Sequence, residues 1–309
     1  MKNLILATFL LIVTITENHA LIQKKEKPKI CFSFDDGNIS NQPGYKSEQW
    51  NLLLLDKLQQ NKVQAIFFAL GNALNNEKGK TVIQTWSDRG HLIGNHTYSH
   101  NSYNSPASTF ENFRADFLKN DSLIETYKGY TKFFRFPYLK EGNTKEKRDL
   151  FRTFLKEKGY SNGYVTVDAS DWFINDRLIK RLKENPKTDI QAYKQFYLQH
   201  IWERTLFYND LALKLTGRQI SHTLLLHHNL ASALFIDDLV KMFQIKGWDV
   251  VDASVAYKDK IYTTMPDIVP AGQSLIWAMA KENGAYEHIL RDPAEDSKYE
   301  EPTMNKLGL

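Results

Sequence analysis

The hydrophobic positions of this chain form short, continuous apolar runs, and segments of helical periodicity separate these runs. Continuous apolar runs of strand length are typical of strands buried on both faces, as in a parallel sheet covered by helices. Turn residues such as Gly37 and Gly71 close some of the runs. We predict seven strands, at 29–34, 64–70, 92–93, 131–136, 164–167, 222–226 and 248–251.

Apolar residues in the intervening segments recur every three or four positions, which is the period of a helix with one buried side. A capping box at 108–111 marks one helix start, and Gly159 and Gly247 mark two helix ends. We predict helices near 47–58, 80–89, 110–118, 145–158 and 231–246, and a longer helical stretch at 176–215 that is broken at Asn185-Pro186.

The alternation of strands and helices predicts an α/β fold at 29–256, a distorted (β/α)7-8 barrel with mostly parallel strands. We expect residues 176–220 to form a helical insertion before the sixth strand, which is either an additional helical layer or a lid or wall that shapes the substrate groove. An open doubly wound sheet is the alternative, although no glycine-rich phosphate loop follows the first strand. We expect residues 257–309 to form a C-terminal extension on the outside of the barrel, irregular near 292–301.

Residues 1–20 differ from the rest of the chain. Lys2 is followed by an apolar run at 4–13, which is too short for an ordinary membrane span. We predict a signal peptide cleaved near Ala20 and a lysine-rich linker at 21–28, with an uncleaved membrane anchor as the alternative. Either interpretation predicts export, so that the protein is periplasmic, secreted or associated with the cell envelope.

The composition narrows the class of protein. The chain has 309 residues, of which 42% are hydrophobic and 25% charged, and a formal net charge of +4. These values are typical of a globular protein with one large core, and the small charge argues against a nucleic-acid partner. No obligate protein partner is evident, and the sequence does not predict the oligomeric state. The single cysteine, Cys31, cannot form an internal disulfide, and we expect it to be a small buried apolar side chain.

Two histidines, His96 and His100, lie four residues apart directly after the third predicted strand. On a turn of helix this spacing places both imidazoles on one side. Alone, such a pair is more often structural, but Asp35-Asp36 supplies a carboxylate elsewhere in the chain. Two imidazoles and one carboxylate form a common three-point site for a catalytic divalent metal, with a position left for water.

Polar groups follow five of the predicted strands. Each group alone is compatible with an ordinary turn or loop. Because parallel barrels build their active sites at the carboxyl ends of the strands, we interpret five groups on this one face as an active site. The groups are Asp35 and Asp36, His96 and His100, residues 135–138, Asp168 with Asp171-Trp172, and His227 with His228.

The same segments resemble, in order, the five motifs of polysaccharide deacetylases, which form the NodB-homology domain or carbohydrate esterase family 4. The resemblance covers about residues 28–255, and the first two motifs are specific in combination. It implies a distorted (β/α) barrel and metal-dependent removal of acetyl groups from sugars. The motifs are Ser33-Phe34-Asp35-Asp36-Gly37, His96-Thr97-Tyr98-Ser99-His100, Arg135-Phe136-Pro137-Tyr138, Asp168-Ala169-Ser170-Asp171-Trp172 and Leu225-Leu226-His227.

The resemblance also implies roles for individual residues. Asp36, His96 and His100 would hold the metal, for which zinc is favoured and cobalt, nickel or iron are alternatives. Asp35 would be the general base, oriented by Arg135. The remaining roles follow the family: His227 as general acid, Asp171 as its partner, Tyr138 as an oxyanion donor through its backbone N–H, and Trp172 with Leu225 as walls of the acetyl pocket.

Two departures from the family pattern qualify these roles. Leu139 stands where many members have glycine, and His228 next to His227 leaves a swapped role open, with His227 preferred. The main hypothesis is a deacetylase of N-acetylated, peptidoglycan- or chitin-like glycan. An O-acetyl esterase acting on xylan-like glycan and a non-catalytic carbohydrate-binding relic are the alternatives.

Overall fold

The computed structural model describes residues 26–309. The predicted signal peptide at 1–20 and most of the predicted linker at 21–28 lie outside these residues. None of the helices within 26–309 combines the length and the apolar character that crossing a membrane requires.

The strands match most of the apolar runs. In chain order, the strands of the described residues are β1 (Lys29–Asp36), β2 (Ile66–Ala69), β3 (Leu92–Asn95), β4 (Tyr130–Phe134), β5 (Lys140–Gly142), β6 (Ser161–Asn162), β7 (Ser221–His227), β8 (Asp249–Val250) and β9 (Ala271–Gly272). Seven of them form one sheet in which every pairing is parallel, while β5 and β9 form a separate antiparallel pair.

The sheet curls into a distorted barrel. Its strand order is β6-β4-β3-β2-β1-β7, and β8 pairs with the start of β1. Val167 makes an isolated parallel bridge to Leu224 in β7. The segment 161–167 therefore contacts β4 at its start and β7 at its end, and it closes the barrel. The predicted barrel with mostly parallel strands is confirmed.

The predicted fifth strand at 164–167 is wrong in position. The regular pairing lies earlier, at β6, and Val167 adds only a single bridge. Gly163 accounts for the difference, because its N–H donates to the Phe134 carbonyl at 2.6 Å and a Cβ atom there would lie 2.3 Å from the Phe68 ring. The chain passes this ring too closely to continue as a regular strand.

The helices cover the outside of the barrel. The α-helices of the described residues are α1 (Ser47–Gln60), α2 (Gly71–Leu74), α3 (Glu77–Asp88), α4 (Phe110–Ile124), α5 (Lys145–Glu157), α6 (Asp171–Glu184), α7 (Gln191–Thr216), α8 (Leu230–Ile245), α9 (Ala253–Ala256), α10 (Leu275–Asn283) and α11 (Ser297–Leu307). Short 3-10 helices lie at Pro137–Leu139, Lys260–Thr263 and Glu287–Ile289. The cap of α4 is Thr109, one residue later than the predicted capping box, and its side chain accepts from the Asn112 N–H.

Side chains of β1 alternate between two environments, as the pleat of a strand requires. Ile30, Phe32 and Phe34 belong to the large hydrophobic cluster beneath the helices. Cys31 and Asp35 point to the barrel interior, where Cys31 is buried as predicted. One face of the strand therefore stabilises the fold while the other supplies the chemistry.

The helical insertion forms an additional layer rather than a lid. It consists of α6 and α7, and α7 packs against α6, α8 and α10. Tyr197, Ile201 and Tyr208 of α7 are fully buried. Burial of this extent is typical of a permanent core element.

The C-terminal extension differs from the prediction in two respects. Its helices α10 and α11 lie outside, but Tyr257 and Tyr262 enter the base of the barrel. The Tyr257 ring packs against Phe133 with centroids 4.5 Å apart, and the Tyr262 hydroxyl lies 2.7 Å from Thr223 Oγ1. The segment expected to be irregular near 292–301 contains the start of α11, which the Asp296 side chain caps.

Candidate active site

The three predicted metal ligands converge at the carboxyl ends of β1 and β3. His100 Nε2 lies 3.3 Å from Asp36 Oδ1, and His96 Nε2 lies 3.5 Å from the same oxygen. Each side chain offers one ligand atom, and these atoms lie within 4.8 Å of one another. The expected helical turn is absent: His96 and His100 lie in a loop, where left-handed backbone at Thr97 and His100 brings the two rings together.

The chemistry of these three side chains fits a divalent cation. Asp36 Oδ1 is buried and has no hydrogen-bond partner among residues 26–309, which is costly unless a cation faces it. Burial alone would raise the pKa of Asp36, but the adjacent His96 imidazole outweighs burial and lowers it below the ordinary range. Burial and the neighbouring His96 lower the pKa of His100 to about 4, so that its imidazole is neutral and can bind a metal.

The orientation of His96 is also that of a metal ligand. Its Nδ1 lies 2.9 Å from the Arg135 carbonyl oxygen. Because a carbonyl only accepts, Nδ1 carries a proton, and Nε2 is the ring nitrogen that faces Asp36 and would bind a metal.

Helix α4 supports the histidine loop through residues that no motif indicated. Asn120 Nδ2 donates to Asn95 Oδ1 at 3.0 Å, and the same oxygen accepts from the Thr97 N–H at 2.9 Å. Asp116 accepts from the N–H groups of Tyr98 and Ser99. These contacts stabilise the backbone between the two histidines.

A buried ion pair borders one side of the three ligands. Arg135 Nη1 lies 2.6 Å from Asp35 Oδ1, and Arg135 is only 1% exposed. Asp35 Oδ2 lies 3.7 Å from His96 Nε2, so the second carboxylate oxygen faces the metal ligands. Asp35 is therefore an oriented carboxylate next to the candidate metal site.

A second charged pair, His227 with Asp171, borders the other side of the three ligands; Asp171 is fully buried and His227 is partly exposed. His227 Nδ1 lies 2.6 Å from Asp171 Oδ1, while Asp171 Oδ2 accepts from the His227 N–H and from Asn229 Nδ2. Burial would lower the pKa of His227, but the Asp171 carboxylate outweighs it and raises that pKa to about 10. His227 is therefore cationic at neutral pH.

His228 points in the opposite direction. Its Nε2 lies 2.9 Å from Asn51 Oδ1, and its ring packs among Trp50, Phe67 and Trp86 in the helical layer. The two histidines alternate across β7 and the turn that follows it, so the geometry brings only His227 to the barrel mouth.

The predicted substrate-contacting residues lie in different settings. Tyr138 is 60% exposed and its ring packs against His100, with centroids 4.5 Å apart. Trp172 is 39% exposed in the first turn of α6. Leu225 is buried on β7 opposite Ser33. Asp168 is buried too, and burial raises its pKa to about 6.

An open cavity extends from the candidate metal site along the histidine loop. Its volume is about 540 Å³, and most of the residues that line it carry a polar side chain. The lining side chains include His100, Tyr138, Asn101, Ser102, Ser105 and Asn112. Hydroxyl and amide side chains of this kind suit the hydroxyl groups of a sugar.

Strained backbone is concentrated at this site. Of the seven non-glycine residues with positive φ in the described part of the chain, five border it: Asp36, Thr97, His100, Tyr138 and Leu139. Leu139 has a φ of +54°, which explains why glycine would suit this position. The Leu139 carbonyl accepts from the Gln273 N–H at 2.9 Å, so the C-terminal extension helps to hold this turn.

Residues 22–161 match the family model described as polysaccharide deacetylase. The chain is 32% identical over 147 residues to a peptidoglycan-N-acetylglucosamine deacetylase of Bacillus cereus, covering 47% of each protein. It is 26% identical over 161 residues to a peptidoglycan-N-acetylmuramic acid deacetylase of Bacillus subtilis, covering 51% of this chain and 53% of the relative.

Solved structures show the same fold. A peptidoglycan N-acetylglucosamine deacetylase superposes with a TM-score of 0.52 at 22% identity, covering 76% of this chain and 90% of that one. This likeness shows the fold, and the matched family model together with the named relatives supports the assignment of residues 22–161 to the polysaccharide deacetylase family, the NodB-homology domain of carbohydrate esterase family 4. The chain is also 34% identical over 91 residues to a chitin deacetylase of Colletotrichum lindemuthianum, covering 28% of this chain and 33% of the relative. The chain spans about half the length of the two bacterial relatives and a third of this one.

Proposed function

We propose that this protein is a metal-dependent hydrolase that removes acetyl groups from N-acetylated glycan. The observation that carries the proposal is the convergence of three ligand side chains between two ion pairs, in one of which a cation holds a carboxylate and in the other an anion holds an imidazole. The family supports it, since the matched relatives are named as peptidoglycan and chitin deacetylases. A protein that only binds sugar has no need of this arrangement.

Asp36, His96 and His100 would hold the metal, and nitrogen-rich ligation favours zinc over cobalt, nickel or iron. A bound divalent metal supplies Lewis acidity, which lowers the pKa of a water molecule and polarises the acetyl carbonyl. Asp35 then accepts a proton from the attacking water, because its Oδ2 faces the site while Arg135 holds its other oxygen.

His227 completes the proton transfer. Its Nδ1 is committed to Asp171, so the proton on Nε2 is the one available for the leaving amine. The raised pKa of His227 keeps that proton in place until the leaving group needs it. The Tyr138 backbone N–H would donate to the developing oxyanion, and Trp172 with Leu225 would border the acetyl methyl group.

The substrate class follows from the polar cavity and from the names of the relatives. We infer a peptidoglycan- or chitin-like polymer of N-acetylated sugars, with the chain lying along the cavity beside His100 and Tyr138. An O-acetyl ester is the second candidate, because His227 can protonate an alkoxide as well as an amine. Export of the protein, which the pattern at 1–20 predicts, would bring it to such a polymer.

Acetate release tests the proposal directly. The protein is incubated with N-acetylated chitooligosaccharide, peptidoglycan and acetyl-xylan, with and without a chelator, and zinc is then restored. We expect acetate from at least one N-acetylated substrate, loss of activity with chelator and recovery with zinc. Release from acetyl-xylan alone would favour the esterase, and no release from any of the three would contradict the proposal.

A further inference from the structure

Arg135 is held by four polar partners that come from three parts of the chain. Its Nε donates to the Gly163 carbonyl at 2.8 Å, and its Nη1 donates to Ser33 Oγ at 2.9 Å as well as to Asp35. Its Nη2 donates to the Tyr257 hydroxyl at 3.0 Å. The guanidinium also lies 4.0 Å from the centroid of the Phe68 ring, so its plane is fixed from several directions.

Tyr257 differs from the other partners because it belongs to the C-terminal extension. It lies outside residues 22–161, which the family model matches, and none of the predicted roles includes it. Its hydroxyl reaches up from the base of the barrel and contacts the nitrogen of Arg135 that does not contact Asp35. It is the one partner in this set that a change in the extension could remove.

The hydroxyl of Tyr257 is oriented as an acceptor. Its own proton goes to the Tyr164 carbonyl at 3.1 Å, which leaves a lone pair for Arg135 Nη2. The ring is fixed by Phe133 on one side and by Tyr262 on another. Burial raises the pKa of Tyr257 above its ordinary range, so the group stays a neutral phenol.

We propose that Tyr257 is a positioning residue, which holds the Arg135 guanidinium so that Nη1 remains directed at Asp35. This inference rests on the proposed function, in which Asp35 is the general base. Without the phenol oxygen, Nη2 is a buried donor with no acceptor, and the guanidinium gains freedom to turn toward another one. A small tilt of the guanidinium moves the carboxylate it binds, and displacement of a catalytic group by about 1 Å can cost about 10²-fold in rate.

Tyr257→Phe tests the proposal, and Tyr262→Phe is the matched control. Both changes remove one buried hydroxyl and keep the ring, but the Tyr262 hydroxyl contacts Thr223 and Ser221 rather than Arg135. We expect Tyr257→Phe to lower kcat on N-acetylated chitooligosaccharide about tenfold with KM and metal affinity unchanged. The control should lose a similar amount of thermal stability and keep its kcat.

Two outcomes of the kinetics would overturn the proposal. One is an unchanged kcat in Tyr257→Phe. The other is an equal loss of kcat in both variants, which would indicate a general effect of weakening the base of the barrel.

Nuclear magnetic resonance of the metal-free protein gives a readout that does not depend on activity. The Nε and Nη signals of Arg135, identified by their loss in Arg135→Lys, report rotation and exchange of the guanidinium. In Tyr257→Phe we expect the Nη2 protons to exchange faster with water while the Nε proton, bound to Gly163, changes little. Unchanged Nη2 signals would contradict the role of Tyr257, whereas failure of the wild-type protein to release acetate would contradict the proposed function.

Discussion

The two ion pairs beside the candidate metal site differ in the charge of the side chain that faces the site and in the way its partner is held. On one side the Arg135 guanidinium orients the carboxylate of Asp35. The guanidinium is itself held by hydrogen bonds to partners from several parts of the barrel. On the other side the Asp171 carboxylate keeps the imidazole of His227 cationic. The hydrogen bonds of Asp171 are all to neighbouring residues, namely to the imidazole, to the backbone N–H of His227 and to Asn229. In the proposed mechanism, the first pair would therefore prepare a proton acceptor and the second a proton donor.

The difference in construction has a physical basis. A base must remain ionised and fixed while a proton arrives, and the many contacts of Arg135 provide rigidity. An acid needs a pKa above the working pH, and one close carboxylate is enough to provide it. The comparison can be tested by changing first the candidate metal site, which both pairs border, and then each pair in turn.

Loss of the candidate metal site should have the largest effect on activity. Asp36→Ala or His96→Ala removes one of three ligands, so we expect metal affinity and deacetylase activity to disappear together. Metal content after dialysis against zinc and acetate release measure the two properties. His288→Ala, a change of an exposed histidine, is the control and should alter neither. Full activity in a variant that no longer binds metal would show that the two ion pairs act without a metal, and it would contradict the proposed metal dependence.

Asp35→Asn tests the side of the base. The amide cannot accept the proton, so we expect kcat to fall about 10²–10⁴-fold while the metal remains bound.

His227→Gln removes the proposed general acid, and we expect kcat to fall within the same range. Both are measured as kcat alongside zinc content and thermal denaturation. A wild-type rate in Asp35→Asn would remove the base assignment.

The barrel and the positions of the polar groups could be predicted from the sequence because both depend on local patterns. Apolar runs indicated the strands, and the residues at or just after the carboxyl ends of β1 and β3 include the candidate ligands. The support of the site could not be predicted in this way. Asn120, Asp116 and Tyr257 reach their partners from helices or extensions distant in sequence, and such contacts leave no periodic pattern.

The mistaken details have similar causes. The spacing of His96 and His100 suits a helix, but left-handed backbone at His100 achieves the same approach in a loop, and propensity does not indicate strained backbone. Residues 164–167 have the composition of a strand, but the contact of Gly163 with the Phe68 ring ends the regular pairing before them.

Asp171→Asn tests the His227–Asp171 pair through the pH dependence of activity. The pKa of His227 is raised from its ordinary 6.5 to about 10, so the wild-type acid stays protonated up to alkaline pH. Without the carboxylate, burial lowers that pKa, and the alkaline limb of kcat/KM should move to lower pH, with a loss of about tenfold or more near pH 8. Profiles from about pH 6 to about pH 10 measure the shift. Asp176→Asn, one turn and a half along α6, should shift the limb much less, and equal shifts would point to general electrostatics.

Trp172→Ala should have the smallest effect. The side chain is 39% exposed in the first turn of α6, next to Asp171, so it can contact substrate without holding either ion pair. Removing the ring deletes apolar contact area with the substrate, and we expect KM to rise about three- to tenfold with a smaller change in kcat. Leu150→Ala, which removes a similarly exposed apolar side chain on α5, should leave both constants unchanged. A large fall in kcat at constant KM would instead indicate that Trp172 maintains the His227–Asp171 pair, and the acid side would then depend on more than one close carboxylate.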